Sequence, residues 1–329
     1  MMAFRSTMQR IVWPAALACS LFGASTASAA SESAEQFFPP WSHGANDPVK
    51  NRGLEFTVPE VDNLPDFHGD PMTAKLVVFV GGNYFFAMAP LVAEFERQHP
   101  QLQGQIYYET IPPGLLVEQI KKNGTITVGN MTWTVRADVY AAGQDQVEGL
   151  IDEGYAGGPA VPYVTNTLTI MIPKDNPAHI RALTDLGKPG VRLVMPNPAF
   201  EGIGRQIQQS LAKAGGEALV KIVYDSKVHS GETYLTRVHH RQSPLYLMLG
   251  RADAGITWQS EAAFQQEVGN PIGQVSIPEY QNVTASYAAA LLKAAPHPQA
   301  GQQWVDFLRS PNALAIFEHY GFKPYVDKN

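Results

Sequence analysis

Residues 166–177 read Asn166-Thr167-Leu168-Thr169-Ile170-Met171-Ile172-Pro173-Lys174-Asp175-Asn176-Pro177. The run from Thr167 to Ile172 is strongly apolar and rich in β-formers, and a Pro-Lys-Asp-Asn-Pro turn ends it. This is the pattern of a strand buried in a sheet. Val191 to Met195 repeats it downstream, followed by a helix over Gly204 to Ala214. Ala252 to Trp258 is another short strand. Residues 299–320 close the chain with helices, including Gln302 to Leu308 and Asn312 to His319. Upstream, Leu76 to Val80 is a continuous apolar run that suits a buried parallel strand. Gly81-Gly82-Asn83 turns the chain, and Ala87 to Gln98 reads as a helix with apolar residues at Met88, Leu91, Val92 and Phe95. Strands at Ile106–Tyr108 and Ala137–Tyr140 alternate with helices at Leu115–Lys122 and Gln146–Glu153. Strands alternating with helices predict an α/β fold with parallel sheets covered on both faces. Nothing repeats at a fixed period.

With 329 residues the chain has room for one large domain or two modest ones. Hydrophobic residues make up 45% and charged residues 16%, which is a globular composition. The formal charge of −6 argues against nucleic acid as the main partner, since phosphate binding needs a basic footprint. A small anionic ligand stays open, because local donors set a site and net charge does not. The first residues look like an address. Arg5 and Arg10 precede an apolar stretch, Ile11 to Phe22, and Ala27-Ser28-Ala29 fits a signal-peptidase site with cleavage before Ala30. A signal peptide over 1–29 is expected. Its apolar stretch is too short for a permanent anchor. Its removal takes away two arginines and no acids, which moves the charge from −6 to −8. Cys19, the only cysteine, lies in Ala16-Leu17-Ala18-Cys19, which weakly resembles a lipobox. Ala16 stands where Leu is preferred, and cleavage after Ala29 would leave no disulfide and no thiol chemistry.

Residues 30–74 show no helical or strand period. Phe37-Phe38-Pro39-Pro40-Trp41 and Pro59 to Pro65 are broken by Pro and Asn. The segment reads either as an extended arm tied to the body by Phe37, Phe38 and Trp41, or as a partner-docking segment. Asp66-Phe67-His68-Gly69-Asp70 has metal-like side chains without a strong ligand spacing, and no metal site is assigned.

Several short motifs resemble the molybdate-binding family of type II periplasmic binding proteins. They are Asn166–Pro177, Leu186-Gly187-Lys188-Pro189-Gly190-Val191-Arg192-Leu193-Val194, Ala137-Asp138-Val139-Tyr140-Ala141-Ala142, Gly250-Arg251-Ala252-Asp253-Ala254-Gly255-Ile256-Thr257-Trp258, and the ending Phe307 to Ala313 through Phe317 to Phe322. They occur in the family's order over about 75–325. The resemblance implies two lobes, each a mostly parallel sheet flanked by helices, with a ligand cleft between them. Lobe 1 is expected at 75–166 plus 285–329 and lobe 2 at 167–284. In such sheets ligands lie beyond the carboxyl ends of the strands, where helix N-termini offer N–H groups to an anion. The family holds a tetrahedral oxyanion mostly with neutral donors. The resemblance further implies a periplasmic monomer that serves an ABC permease in the inner membrane and needs no cofactor.

The departures from the family define the candidate site. The loop after the first strand usually carries a serine; here it reads Gly81-Gly82-Asn83-Tyr84-Phe85, leaving Asn83 and Tyr84 as donors. The loop after the second strand usually carries two serines; here it reads Thr110-Ile111-Pro112-Pro113-Gly114, and proline has no N–H to give. An insertion, Thr125 to Arg136, carries Trp133 and Arg136. In the second lobe, Arg237-Val238-His239-His240-Arg241-Gln242-Ser243 stands where the family brings a backbone N–H to the ligand. Ser243 and Pro244 read as N-cap and first residue of a helix. His239, His240 and Arg241 become candidates, because histidine can donate, titrate or bind a metal and arginine offers a fork for carboxylate or phosphate. A His pair in a polar loop is also a common surface feature, and both readings stand. Phe200 and Arg205 open a helix at the cleft. Trp258 stands where the family often has Tyr beside the ligand, and reads equally as core.

Two functions follow. One is a binding protein that captures a small ligand for an ABC transporter, an oxyanion by family default, with the changed loops pointing to a carboxylate or a chelated metal. The other is a periplasmic partner or sensor without transport, docked through the 30–74 arm. His239 or His240 with Glu201 could in principle do acid–base work. The sequence holds no Gly-x-Ser-x-Gly elbow, no His-Glu-x-x-His and no phosphate-binding loop, and the chain is not expected to be an enzyme.

Overall fold

A continuous apolar strand must be covered on both faces, and the structure shows how. The structure is a computed structural model that describes residues 66–128, 131–199, 201–237 and 239–327. The expected signal peptide, Cys19, the arm as far as residue 65 and Phe200 lie outside the described residues. All that is described belongs to one compact unit, Phe38–Asn329. Its strands in chain order are β1 (Asp66–His68), β2 (Leu76–Gly81), β3 (Ile106–Ile111), β4 (Thr125–Val128), β5 (Met131–Thr134), β6 (Val139–Gly143), β7 (Ala156–Pro173), β8 (Leu193–Met195), β9 (Thr233–Leu235), β10 (Ala254–Trp258), β11 (Ile272–Ser276), β12 (Thr284–Leu292) and β13 (Lys323–Pro324). The main helices are α1 (Phe85–Gln98), α2 (Pro113–Lys121), α3 (Gln144–Asp152), α4 (Gly202–Lys221), α5 (Ser243–Met248), α6 (Gln259–Glu267), α7 (Pro298–Phe307) and α8 (Pro311–His319).

The large sheet has the order β1-β3-β2-β6-β12-β7-β10-β8-β9, with β11 and β13 also pairing with β7. It contains two parallel triads, β3-β2-β6, edged by antiparallel β1, and β10-β8-β9. Between them β12 and β7 run antiparallel to their neighbours. β7 is 18 residues long and joins the halves, pairing with β12 through Thr167 and with β10 from Leu168 on.

Successive side chains of a strand point to opposite faces, and the cores divide accordingly. Leu76, Val78 and Val80 of β2 enter one apolar cluster with α1, α7 and α8, while Val77 and Phe79 enter another with α2 and α3. Leu168, Ile170 and Ile172 of β7 pack with α4, and Met171 packs with α5 and α6 on the other face. Trp304 is fully buried, with Phe95 meeting its ring edge-on at 5.1 Å.

Where sequence and structure differ, local causes are visible. α4 was expected to end at Ala214; it continues to Lys221 past a break at Gly215 and Gly216, the latter at φ +69°. The strand expected at Thr167–Ile172 is the end of β7, whose earlier part carries Gly157, Gly158, Pro159 and Pro162. Register shifts between β7 and β12, at Tyr287/Ala288 and Ala289/Leu291, accommodate those breakers. The end of the arm, expected to be without strand structure, forms β1 against β3, and His68 stacks on Tyr108 at 4.4 Å. Asp70 closes a turn by accepting from the Met72 N–H and the Thr73 hydroxyl. The insertion becomes the β4–β5 hairpin, whose Trp133 donates to buried Glu109 at 3.0 Å and packs on Phe67.

Candidate ligand-binding site

The loops that leave the carboxyl ends of the parallel strands carry Asn83, Tyr84 and the His239–Arg241 turn. β2 runs into Gly82 and Asn83, β8 into the loop that ends at Glu201, β9 into Thr236 and the His239–Arg241 turn, and β10 into Trp258 and α6. The turn from one half meets the turn from the other. A methyl group placed on Gly82 would lie 3.6 Å from Arg241 Nη1 and 3.7 Å from His239 Cε1. The Arg241 guanidinium lies over the Phe85 ring, 3.7 Å from its centroid, a cation–π contact worth about 2 kcal/mol where water is excluded. Arg241 is 4% exposed and His239 and His240 are each 3% exposed, so the histidine pair is not a surface feature.

Three residues of the second half form a buried ionic bridge. His240 Nδ1 lies 3.1 Å from Oε2 of Glu201, and its Nε2 lies 2.9 Å from Oε1 of Glu261. The second contact is short but off-line, an ion pair rather than a directed hydrogen bond. Glu201 also accepts from the Thr236 hydroxyl and from the Asn197 N–H at 3.1 Å. Thr257 donates to the other oxygen of Glu261. Burial opposes a charge on His240, yet the charge of Glu261, the bond to Glu201 and the charge of Glu201 outweigh it and raise the pKa to about 9. The His239 ring packs on the His240 ring, tilted by 36° with centroids 3.9 Å apart. Burial, then the charges of His240 and Arg241, push its pKa well below the ordinary histidine value. Its Nδ1 accepts from the Arg241 N–H at 3.4 Å, which leaves the ring proton on Nε2.

That bond also corrects the expected helix start. Ser243 has helical φ/ψ, and the 3₁₀ turn His240–Gln242 runs directly into α5, so the capping role passes to His239. Ser243 Oγ and Trp258 Nε1 are buried without a hydrogen-bond partner.

The remaining candidates divide. The Asn83 amide donates to Tyr287 Oη at 2.9 Å, and the Tyr84 hydroxyl pairs with Tyr163 at 2.5 Å, so both side chains are engaged in the first half's core. Thr110 is fully buried at the end of β3, paired with Val80. Trp258 is 3% exposed and packs against Tyr287. Arg205 is exposed and donates to the Pro198 carbonyl at 3.1 Å. Phe200 lies outside the described residues. Glu261 and Phe85 were not singled out from sequence. An acid in the first turn of a polar helix is an ordinary dipole partner, and Phe85 stands in a Tyr-Phe-Phe run that reads as core.

Among the described residues, no group of three or more His, Cys, Asp or Glu side chains is arranged to hold a metal ion. A separate polar groove of about 270 Å³, with Thr165, Thr167, Asn282 and Thr284 in its wall, lies where β7 and β12 run between the halves and includes none of the candidates. Its charged side chains, Glu279 and Lys323, are exposed, whereas Arg241, Glu201 and Glu261 are buried. No helix among the described residues is long and apolar enough to cross a membrane.

The family model for bacterial extracellular solute-binding proteins matches residues 76–323. The molybdate-binding protein ModA of Mycobacterium tuberculosis is 26% identical over 242 residues, 72% of this chain and 82% of that protein. A sulfate-binding protein of Synechococcus elongatus is 26% identical over 246 residues, 67% of this chain and 70% of that protein. The structure of the periplasmic molybdate-binding protein of Azotobacter vinelandii superposes with a TM-score of 0.61 at 17% identity, over 77% of this chain and all of that one.

Proposed function

The chain belongs to the bacterial extracellular solute-binding proteins, with the two-lobe α/β fold of the type II periplasmic binding proteins, and from that premise we propose that it captures a small anion between the Gly81–Phe85 turn and the His239–Arg241 turn and presents it to an ABC permease. The observation that carries this reading is a buried guanidinium, Arg241, whose Nη1 lies against Gly82 beside Cε1 of the His239 ring, a neutral imidazole that keeps its proton on Nε2. A buried cation and a buried donor at a closing interface suit an anion. The names of the molybdate- and sulfate-binding relatives support the same ligand class.

The donor set differs from a cage of neutral groups. Asn83 and Tyr84 are engaged elsewhere, and Pro112 and Pro113 have no N–H to offer. The guanidinium fork suits a planar carboxylate as well as a tetrahedral oxyanion. In this reading residues 75–166 with 285–329 close against 167–284 by a hinge motion at β7 and β12. The protein acts in the periplasm as a monomer after loss of residues 1–29, and its role is binding rather than catalysis.

Thermal unfolding of the mature protein tests this against molybdate, sulfate, phosphate, small carboxylates and divalent metal ions. A ligand that binds only the folded state at a hundred times its Kd adds about 2.7 kcal/mol. The expected result is a rise with at least one anion and none with the metals. A rise with metals alone, or with nothing in the panel, would overturn the anion reading.

A further inference from the structure

The bridge from Glu201 through His240 to Glu261 raises a question the anion reading does not answer. Two carboxylates are buried in the wall of the half that carries the anion's donors, at the start of α4 and in the first turn of α6. Unopposed, they would repel any anion that enters. Both ring nitrogens of His240 face carboxylate oxygens, at 3.1 and 2.9 Å. A neutral imidazole has one N–H and one lone pair. It would set that lone pair against a carboxylate oxygen at one of these contacts, whereas an imidazolium attracts both. The geometry therefore calls for a proton on each nitrogen. His240 also immediately precedes Arg241, and the ring of His239 packs against its ring.

We infer that His240 is a charge-compensating positioning residue for the anion site, holding Glu201 and Glu261 so that they neither repel the anion nor move the turn that presents Arg241 and His239. The inference rests on the proposed anion reading. His240 does not touch the anion; it acts through the charge balance of the wall. Two carboxylates are matched by one imidazolium and one guanidinium while His239 stays neutral. Loss of the His240 proton leaves the wall one negative charge in excess, and anion affinity falls.

The groups that face this bridge are Glu201 from the start of α4, Glu261 from α6, and His239 and Arg241 from its own turn. The Tyr224 and Tyr287 phenols lie near Glu201 and Glu261, and burial holds both neutral well into the alkaline range. Thr236 and Thr257 donate to the far oxygens of the two glutamates and do not titrate.

The test is the Kd of the mature protein for sulfate and for molybdate, neither of which titrates between pH 7 and pH 10, measured by calorimetry across that range (roughly the histidine-to-tyrosine window). The wild type is expected to bind with constant affinity at the lower end and to weaken as pH rises through about 9. His240→Gln is expected to bind at least about tenfold more weakly at pH 7.5, the effect of one uncompensated charge at close range, and to show no pH dependence. Should that variant not fold, Glu261→Gln serves. It removes an attraction for the imidazolium, so the midpoint of the pH profile must move below the wild-type value. A merely structural role would leave the midpoint in place. Binding that is flat through pH 10 in the wild type, or unchanged in His240→Gln, would overturn this inference and leave the anion reading intact. Failure of the wild type to bind any anion would overturn both.

Discussion

At the scale of single residues, the state of His240 governs how the second half responds to alkali. Its folded pKa of about 9 stands above the ordinary histidine value near 6.5. The sign follows from linkage. A histidine whose pKa is raised by folding contributes stability that is fully present below the unfolded pKa and is lost as pH rises through the folded one. Between pH 6.5 and pH 9.5 the ligand-free protein should lose up to about 3 kcal/mol of stability, read as a falling urea midpoint. His240→Gln should lack that loss. A wild-type midpoint that stays level over this window would contradict the ion-pair geometry. His239, His240 and Arg241 were singled out in the sequence as one candidate turn and Glu201 as a possible partner, and the structure buries them together. Glu261 was not, because nothing in a polar helix distinguishes an acid turned inward from one turned out. Asn83 and Tyr84 were legible as donors but not as engaged donors. Their partners, Tyr287 and Tyr163, are 204 and 79 residues away in the chain, and contacts at that separation leave no local pattern.

Elements place those residues through close backbone approaches, and Gly204 is the tightest in the site. A Cβ there would lie 2.7 Å from Pro198 N and 2.8 Å from Pro196 O. The loop after β8 lies on the first turn of α4, and Glu201 stands between them. Gly204→Ala should cost about 1–3 kcal/mol through overpacking. It should also weaken anion binding by displacing Glu201 from His240. Thermal unfolding and titration of the same variant check both, and a protein unchanged in both would mean the loop yields without moving the bridge. The parallel strands β2, β3, β6, β8 and β10 were legible, β2 and β8 as short apolar runs and the others from their alternation with helices. β12 was not. Its sequence, Thr-Ala-Ser-Tyr-Ala-Ala-Ala-Leu-Leu, is rich in alanine, which has weak strand preference. It is a strand because β6 and β7 pair with it on both sides. The first part of β7 was hidden by glycines and prolines that register shifts absorb, and the start of α5 was misread because the 3₁₀ turn before Ser243 takes over its cap.

At the scale of the whole molecule, two halves with separate apolar cores share the crossing strands β7 and β12, and the turns of the proposed site meet at Gly82, Phe85, His239 and Arg241. The motif order in the sequence was enough for this architecture, because each parallel strand with its following helix is a local unit. The ligand was not legible, because the turns that enclose the proposed site are more than a hundred residues apart in the chain. Calorimetric titration of the mature wild type and of Arg241→Ala with molybdate, sulfate and a small carboxylate tests the central claim most directly. The account predicts saturable binding of at least one anion by the wild type and binding at least about tenfold weaker in Arg241→Ala, the loss of one buried charged donor. No binding of any anion by the wild type, or equal affinity in the variant, would contradict it.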